Sequence, residues 1–179
     1  MSDTPNTGTW TVETNRLRLR EMGFEDLDFI AAMLADADVM RHYPSTYTRD
    51  EAQGWIERQR TRYVDHGHGL WLAVLRETGT PVGQVGLLLQ EVESTFESEI
   101  GYLLHKPFWH QGLATEAALG VRRYAFASPS RQRLISLIRP ANTPSQAVAR
   151  RVGMALEKEV TFRDRVHLVF AMSRPAANG

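Results

Sequence analysis

The sequence predicts a single mixed α/β (α+β) domain, and three observations carry that prediction. Apolar runs of strand length are interleaved with stretches of near-helical spacing. The 179 residues fit one domain better than two, and a hydrophobic share of 42% is ordinary for a globular chain. No internal repeat, low-complexity segment or shift of composition marks a second unit. The predicted order is β-α-α-β-β-β-α-β-α-β-β, a central twisted mixed sheet of about seven strands flanked by helices. Residues 12–174 make the domain, with 1–11 a flexible N-terminal tail and 175–179 a C-terminal tail.

Each element has its own signal. Arg16–Arg20 alternates charged and apolar residues, as a half-buried strand does. From Phe24 to Met40, Leu27, Ile30, Ala31, Leu34 and Met40 recur at near-helical spacing, with Asp26 and Asp28 in the first turn, where the helix dipole favours acids. Thr48 followed by Glu51 is a capping box opening a second helix through Ala52, Ile56 and Tyr63. Leu70–Leu75 is a continuous apolar run and hence a central strand. Across the turn Thr78–Pro81, Val82–Leu89 forms its hairpin partner, which Gly83 and Gly86 interrupt, pointing to a bulge or a close neighbour. An acidic segment, Gln90–Glu99, leads to the strand Ile100–Leu104. Leu113, Ala117, Val121 and Tyr124 mark a helix that Thr115 and Glu116 help begin. Leu134–Ile138 is a strand, and Pro144–Val152 a helix stopped by Gly153. Ala155–Phe162 and Val166–Met172 pair across Arg163-Asp164.

Composition excludes several kinds of chemistry. There is no cysteine, so thiolate nucleophiles, Cys-ligated zinc, iron–sulfur clusters and disulfides are ruled out. With 21 basic and 21 acidic residues the net charge is zero, and no long basic stripe suggests direct nucleic-acid binding. Lys106 and Lys158 are the only lysines, so 21 − 2 = 19 basic residues are arginine, which reads as base-composition bias. The first residues lack the apolar core of a signal peptide, and no run approaches the roughly 18–20 residues of a membrane helix. The expectation is a soluble, cytoplasmic protein with no membrane contact.

Chemistry concentrates in Glu99–Ala118. Gln111-Gly112-Leu113-Ala114 leads from a loop into a helix; Gly112 lets backbone approach a ligand, and the free N–H groups at the helix start can hold a phosphate or pyrophosphate. A glycine there is also an ordinary helix cap. Some thirty residues on, Asn142-Thr143-Pro144-Ser145 opens a second helix that ends at Gly153-Met154.

These paired signatures resemble the GNAT superfamily of N-acetyltransferases. TNRLRLREM, Val82-Gly83-Gln84-Val85-Gly86, EIGYLLHKPFWHQGLATEA and NTPSQAVARRVGM are similar in particular to its ribosomal-protein N-terminal acetyltransferase branch, and the likeness runs from about Thr14 to Met172. The resemblance implies a GNAT-like domain over 12–174 with acetyl-CoA as acyl donor and no metal. It implies that the strand before the loop splays from its neighbour, so that the backbone of Tyr102, Leu103 and Leu104 pairs with the pantetheine amides. A backbone N–H there would stabilise the developing oxyanion. The pyrophosphate would lie on the amides of His110, Gln111, Gly112, Leu113, Ala114 and Thr115. Asn142 would bond the cofactor or a water near the thioester.

The amine must be neutral to attack. Glu99 matches the position of a base acting through water, and Glu97, two residues away on the same strand face, is the second candidate. Both also suit a solvated hairpin rim, as Glu91 and Glu93 do. Ser145 would protonate or hydrogen-bond the departing thiolate, a role compatible with capping the helix. Tyr43 and Tyr47 lie where the family builds its acceptor pocket. Two positions depart from the family pattern: Trp109 replaces the usual Gln or Arg before the loop, as in the named branch, and Ala149 stands where many members have a tyrosine acid. His105 and His110 read as rim residues, and Asp65-His66-Gly67-His68 as a polar turn rather than a metal site. Acetyl transfer to a protein N-terminus or a small amine, by direct attack in a ternary complex, is the implied function. The alternative is a non-catalytic acyl-CoA sensor or interaction module. A homodimer is a family habit that no residue here requires.

Overall fold

A short antiparallel pair, β1 (Val12–Glu13) and β2 (Leu17–Arg20), begins the sheet in the computed structural model, which describes residues 9–176. β1 brings the strand count to eight, one more than the sequence indicates, because a two-residue strand is too short to show alternation. The expected tail is shorter than 1–11: Thr11 N donates to Leu19 O at 2.8 Å and Trp10 packs on the core, while residues 1–8 and 177–179 of the two tails lie outside the described residues.

Two helices follow. α1 (Leu27–Ala35), preceded by a 3-10 turn at Phe24–Asp26, is shorter than the Phe24–Met40 periodicity suggests. The Asp36 carboxylate accepts from Asp38 N and Val39 N at 2.8 and 3.3 Å, a local turn that competes with the next helical hydrogen bond, although Met40 still reaches the core. α2 (Arg49–His66) carries the expected capping box, with Glu51 N donating to Thr48 Oγ1 and Thr48 N to the Glu51 carboxylate.

β3 (Leu70–Leu75), β4 (Pro81–Val92) and β5 (Thr95–Leu104) form an antiparallel meander. The acidic stretch expected to separate two strands is instead their paired ends: Gln90 faces Glu97 and Leu88 faces Glu99, and the chain reverses at Glu93-Ser94. Gly86 is required by close approach, since a Cβ there would lie 2.0 Å from Gly69 O. Next come α3 (Leu113–Ala127), β6 (Arg133–Ile138), α4 (Thr143–Val152) and the hairpin β7 (Ala155–Phe162) with β8 (Arg165–Ser173), which turns at Arg163-Asp164 as expected.

The sheet order is β1-β2-β3-β4-β5-β6-β8-β7. Leu17, Leu19, Ile30, Leu34, Ile56, Trp71, Val121 and Phe170 belong to the main core, and a small second cluster of Val92, Ile135, Val160, Val169 and Ala171 packs beside it. Among the described residues no helix is long and apolar enough to cross a membrane. β5 and β6 are parallel and share a single register pair, Glu99 with Ile135. Beyond that pair they diverge, and the divergence positions the site.

Candidate active site

Backbone alternation decides what the gap between β5 and β6 offers. His105 N donates to Val82 O at 2.9 Å, and in an antiparallel ladder alternate residues face the partner strand, so Leu103 and Gly101 spend their polar groups on β4. Ile100, Tyr102 and Leu104 face the other way. Two side-chain bonds agree: Ser136 Oγ donates to Ile100 O at 2.8 Å, and Trp109 Nε1 to Leu104 O at 2.8 Å. The N–H and C=O of Tyr102 and the N–H of Leu104 therefore line an open strand edge. Leu103, expected to share in this pairing surface, does not, because its backbone belongs to the β4 ladder.

Glu99 closes the apex of the gap. The residue is 8% exposed, and its carboxylate accepts from Gln90 Nε2 at 2.7 Å and from Leu137 N at 3.3 Å, where a continuing parallel ladder would have supplied a carbonyl. Burial pushes its pKa up; the bonds from Gln90 and Leu137, and the charges of Arg163 and Arg62, pull the other way without cancelling the rise. Glu97 is not brought there. It is held in an ion pair with Arg133 at 3.1 Å, and Arg133 also grips Glu157 at 2.7 Å.

A cavity of about 510 Å³ surrounds Glu99 and passes through the gap. Asn142, Ser145, Tyr102 and Leu103 line it, as do Tyr43 and Tyr47, so both expected acceptor-side tyrosines reach the same space. Tyr47 stacks edge-on to Trp55, with ring centroids 5.7 Å apart, and Trp55 Nε1 donates to the buried Gln84. Burial raises the Tyr43 pKa to about 12, so it stays a neutral hydroxyl. At α4, Asn142 Oδ1 caps the helix by accepting from Ser145 N at 3.2 Å. The cap is thus Asn142, and the Ser145 hydroxyl has no part in it. Ala149 is buried, and the Tyr102 hydroxyl, on the cavity wall, donates to Ser145 O at 2.7 Å.

The loop after β5 is anchored by Trp109. Gly112, at φ 74, is the N-cap of α3 with no side-chain cap, which leaves the amides of Leu113, Ala114 and Thr115 at the helix start for a ligand. His110 and Gln111 are exposed at its rim. Arg16 braces the loop from beneath, donating to Gln111 O at 2.9 Å while its Nε bonds Glu116 at 2.6 Å. The Asp65–His68 turn is structural at His68, whose Nδ1 bonds Leu87 O at 2.8 Å. A more open depression of about 1030 Å³ lies elsewhere, lined by Arg20 and Tyr63 among others. Two of its polar side chains are engaged in the fold: Arg20 pairs with Asp26 at 2.8 Å, and the Tyr63 hydroxyl bonds Leu70 O.

Sequence reasoning missed Gln90, hidden in what reads as an acidic rim, and the arginines that line the cavity. Only the strand register and the position of the β7–β8 turn bring them to Glu99.

A strand edge with unspent polar groups lies next to helix amides without a side-chain cap, an arrangement open to an extended, amide-bearing ligand with an anionic end. Comparison with known proteins agrees: residues 16–155 match the acetyltransferase (GNAT) domain, so the chain belongs to that family of acetyltransferases. It is 32% identical to YkkB of Bacillus subtilis over 82% of this chain and 86% of that protein. It is 26% identical to the uncharacterized N-acetyltransferase YnaD of the same organism, covering 82% and 83%. An acetyltransferase structure from Agrobacterium tumefaciens superposes with a TM-score of 0.81 at 27% identity, covering 97% of this chain and 100% of that one.

The brace under the loop makes a first prediction. Glu116 accepts from Thr14 Oγ1, Arg16 N and Arg16 Nε at 2.6–2.7 Å. Glu116→Ala is expected to cost about 1–2 kcal/mol, discounted for partial exposure, and to lower Tm by about 2–8 °C. Calorimetry checks it; an unchanged Tm would show that the brace does not hold the start of α3.

Proposed function

We propose that the protein is a cytoplasmic N-acetyltransferase that moves an acetyl group from acetyl-CoA to a primary amine, by direct attack in a ternary complex. The acceptor is a protein N-terminus or a small amine. The observation that carries this reading is the splay of β5 from β6 with a buried carboxylate at its apex. The strand edge and the carboxylate meet in one cavity, which fits a thioester carbonyl on one side and an amine on the other.

The residues divide the work as follows. The N–H groups of Tyr102 and Leu104 pair with the pantetheine arm and hold the thioester carbonyl, where one of them stabilises the negative charge that develops on oxygen. The amides of Leu113, Ala114 and Thr115 hold the pyrophosphate. Glu99, through a water, takes the proton that leaves the amine as the C–N bond forms. The C–S bond breaks, the Ser145 hydroxyl beside the cap hydrogen-bonds the departing thiolate, and the proton taken up at Glu99 is balanced by one delivered through water to the sulfur, which ends as a thiol. A strong acid is not essential there, because a thiol of pKa near 8.5 is a fair leaving group.

Ala149 in place of a tyrosine acid is the feature that favours a non-catalytic acyl-CoA sensor. The buried, oriented Glu99 favours the enzyme, since a sensor has no use for a carboxylate whose burial is unfavourable.

Thermal unfolding with acetyl-CoA tests the site, with ATP as the control. At about 100 times Kd, binding adds about 2.7 kcal/mol and raises Tm by about 5–10 °C. No shift at millimolar acetyl-CoA would remove the donor site and the reading with it. A shift with no turnover on any amine would favour the sensor.

A further inference from the structure

The cavity around Glu99 carries an imbalance of charge. Arg58 and Arg62 come to it from α2, Arg139 follows β6, and Arg163 and Arg165 come from the β7–β8 turn. Among the described residues none of these five guanidiniums is ion-paired, although nine other lysines and arginines are: Arg16, Arg18, Arg20, Arg41, Arg49, Arg76, Lys106, Arg133 and Lys158. Glu99 is the one carboxylate on the cavity wall, and it is spent on Gln90 and Leu137. Two of the arginines lie instead over aromatic rings, Arg58 over Trp55 at 5.5 Å and Arg163 over Phe162 at 5.0 Å. Arg62 is half-buried, and burial together with the nearby Arg163 and Arg58 lowers its pKa. Arg58 and Arg163 are exposed and Arg62, Arg139 and Arg165 half-buried; like charges gathered at one cavity repel, most where they are partly buried, and an anion placed among them relieves that cost. Burial with the charges of Arg41, Arg139 and Arg165 lowers the pKa of His42, and burial with Arg139, Arg165 and Arg163 lowers that of His167, so the surroundings of both wall histidines disfavour their charged forms.

The cavity is also roofed. Arg165 Nη1 donates to His42 O at 3.3 Å, tying the β7–β8 hairpin to the segment between α1 and α2. A roof there shortens the space beyond Glu99, and about 510 Å³, shared with the acyl end of the donor, suits a small molecule better than a protein chain.

Resting on the acetyltransferase reading, we infer that the acceptor is a small primary amine bearing a carboxylate, with its nitrogen at Glu99 and its carboxylate between Arg62 and Arg163. The same charges disfavour polycationic amines, for which five guanidiniums are a barrier.

The test is a panel of matched acceptors given to the full chain with saturating acetyl-CoA, read by thiol release and product mass. It contains free amino acids and the corresponding amides, a polyamine, and hexapeptides with the same first residues. The expected result is a kcat/KM at least about tenfold higher for a free amino acid than for its amide, with the polyamine and peptides lower still. Arg62→Gln and Arg163→Asn, the latter suited to the left-handed φ of 50° at that turn, should each raise KM about tenfold for the carboxylated amine and little for its amide, leaving the acetyl-CoA-induced Tm shift unchanged. Equal rates for acid and amide, or faster polyamine or peptide acetylation, would overturn the carboxylate and leave the acetyltransferase standing. If nothing turns over, the panel is read as N-acetylated products binding the CoA-loaded protein. Tm shifts for the acids alone would then support the anion site, and equal shifts for acids and amides would overturn it.

Discussion

Glu99→Gln is expected to lower kcat by about 10²–10⁴-fold, the usual worth of a positioned base, while acetyl-CoA still raises Tm as in the parent protein. The substitution keeps the shape of the side chain. A Gln at 99 can still accept from Leu137 N, and Gln90 can turn its amide to suit. What is lost is the ability to take a proton. The pH dependence separates this role from a structural one. The base must be ionised to work, and burial raises its pKa, so kcat/KM in the parent should rise with pH through a limb above the ordinary carboxylate range. Glu99→Gln should abolish that limb. The same limb in both proteins would assign the base elsewhere.

The same carboxylate has a consequence for stability with a definite sign. Its folded-state pKa is above the unfolded value, so the folded protein binds the proton more tightly. The favourable contribution is fully present below the unfolded pKa and is lost as pH rises through the folded one. Glu99→Gln should therefore be at least as stable as the parent at neutral pH, with the difference fading as the solution is acidified. Urea unfolding at two pH values measures both ends. A catalytic group held at a cost to the fold behaves this way; a structural carboxylate would show the opposite sign.

The sequence made the architecture legible where local chemistry and tertiary packing agree. The Thr48–Glu51 capping box, the apolar run of β3 and the turn at Arg163-Asp164 appear in the structure where the residues placed them. The acidic stretch from Gln90 to Glu99 was not legible as strand. Its turn, Glu93-Ser94, has two positive φ values without the glycine or asparagine that would signal a tight hairpin, and the inward residues, Gln90 and Glu99, are polar. Burial of those two residues is what makes the site, so the place where patterning failed is the place where the fold departs from simple apolar-in, polar-out logic. Leu103 differs for another reason. Which face of a strand edge is free depends on hydrogen-bond phase, and phase is set by the partner strand at His105 and Val82 rather than by any residue type. The arginines were the least legible. Nineteen arginines against two lysines look like bias, and only the meeting of α2, the segment after β6 and the β7–β8 turn singles out five of them.

Gly112→Val should abolish acetyl-CoA binding and leave a folded, less stable protein. A Cβ at this position meets only Arg16 Nη2 at 3.6 Å, an ordinary contact, so packing does not resist the side chain. The backbone does: at φ 74 an L-residue costs about 1–2 kcal/mol, and a β-branched one sits at the upper end, which lowers Tm by about 2–8 °C. The larger effect falls on the ligand. The amides of Leu113, Ala114 and Thr115 are the first of α3, without a side-chain cap, and a branched side chain at the N-cap covers the approach to them. Because strain and obstruction arrive together in this variant, Gly112→Asn separates them. Asparagine tolerates the left-handed region, so its Tm should lie close to the parent value, while its side chain caps or shades the same amides and still weakens binding. Normal acetyl-CoA-induced stabilisation of Gly112→Asn would move the pyrophosphate away from this helix. Loss of that stabilisation in both variants, with only the valine lowering the intrinsic Tm, would assign the anion to the amides at the start of α3.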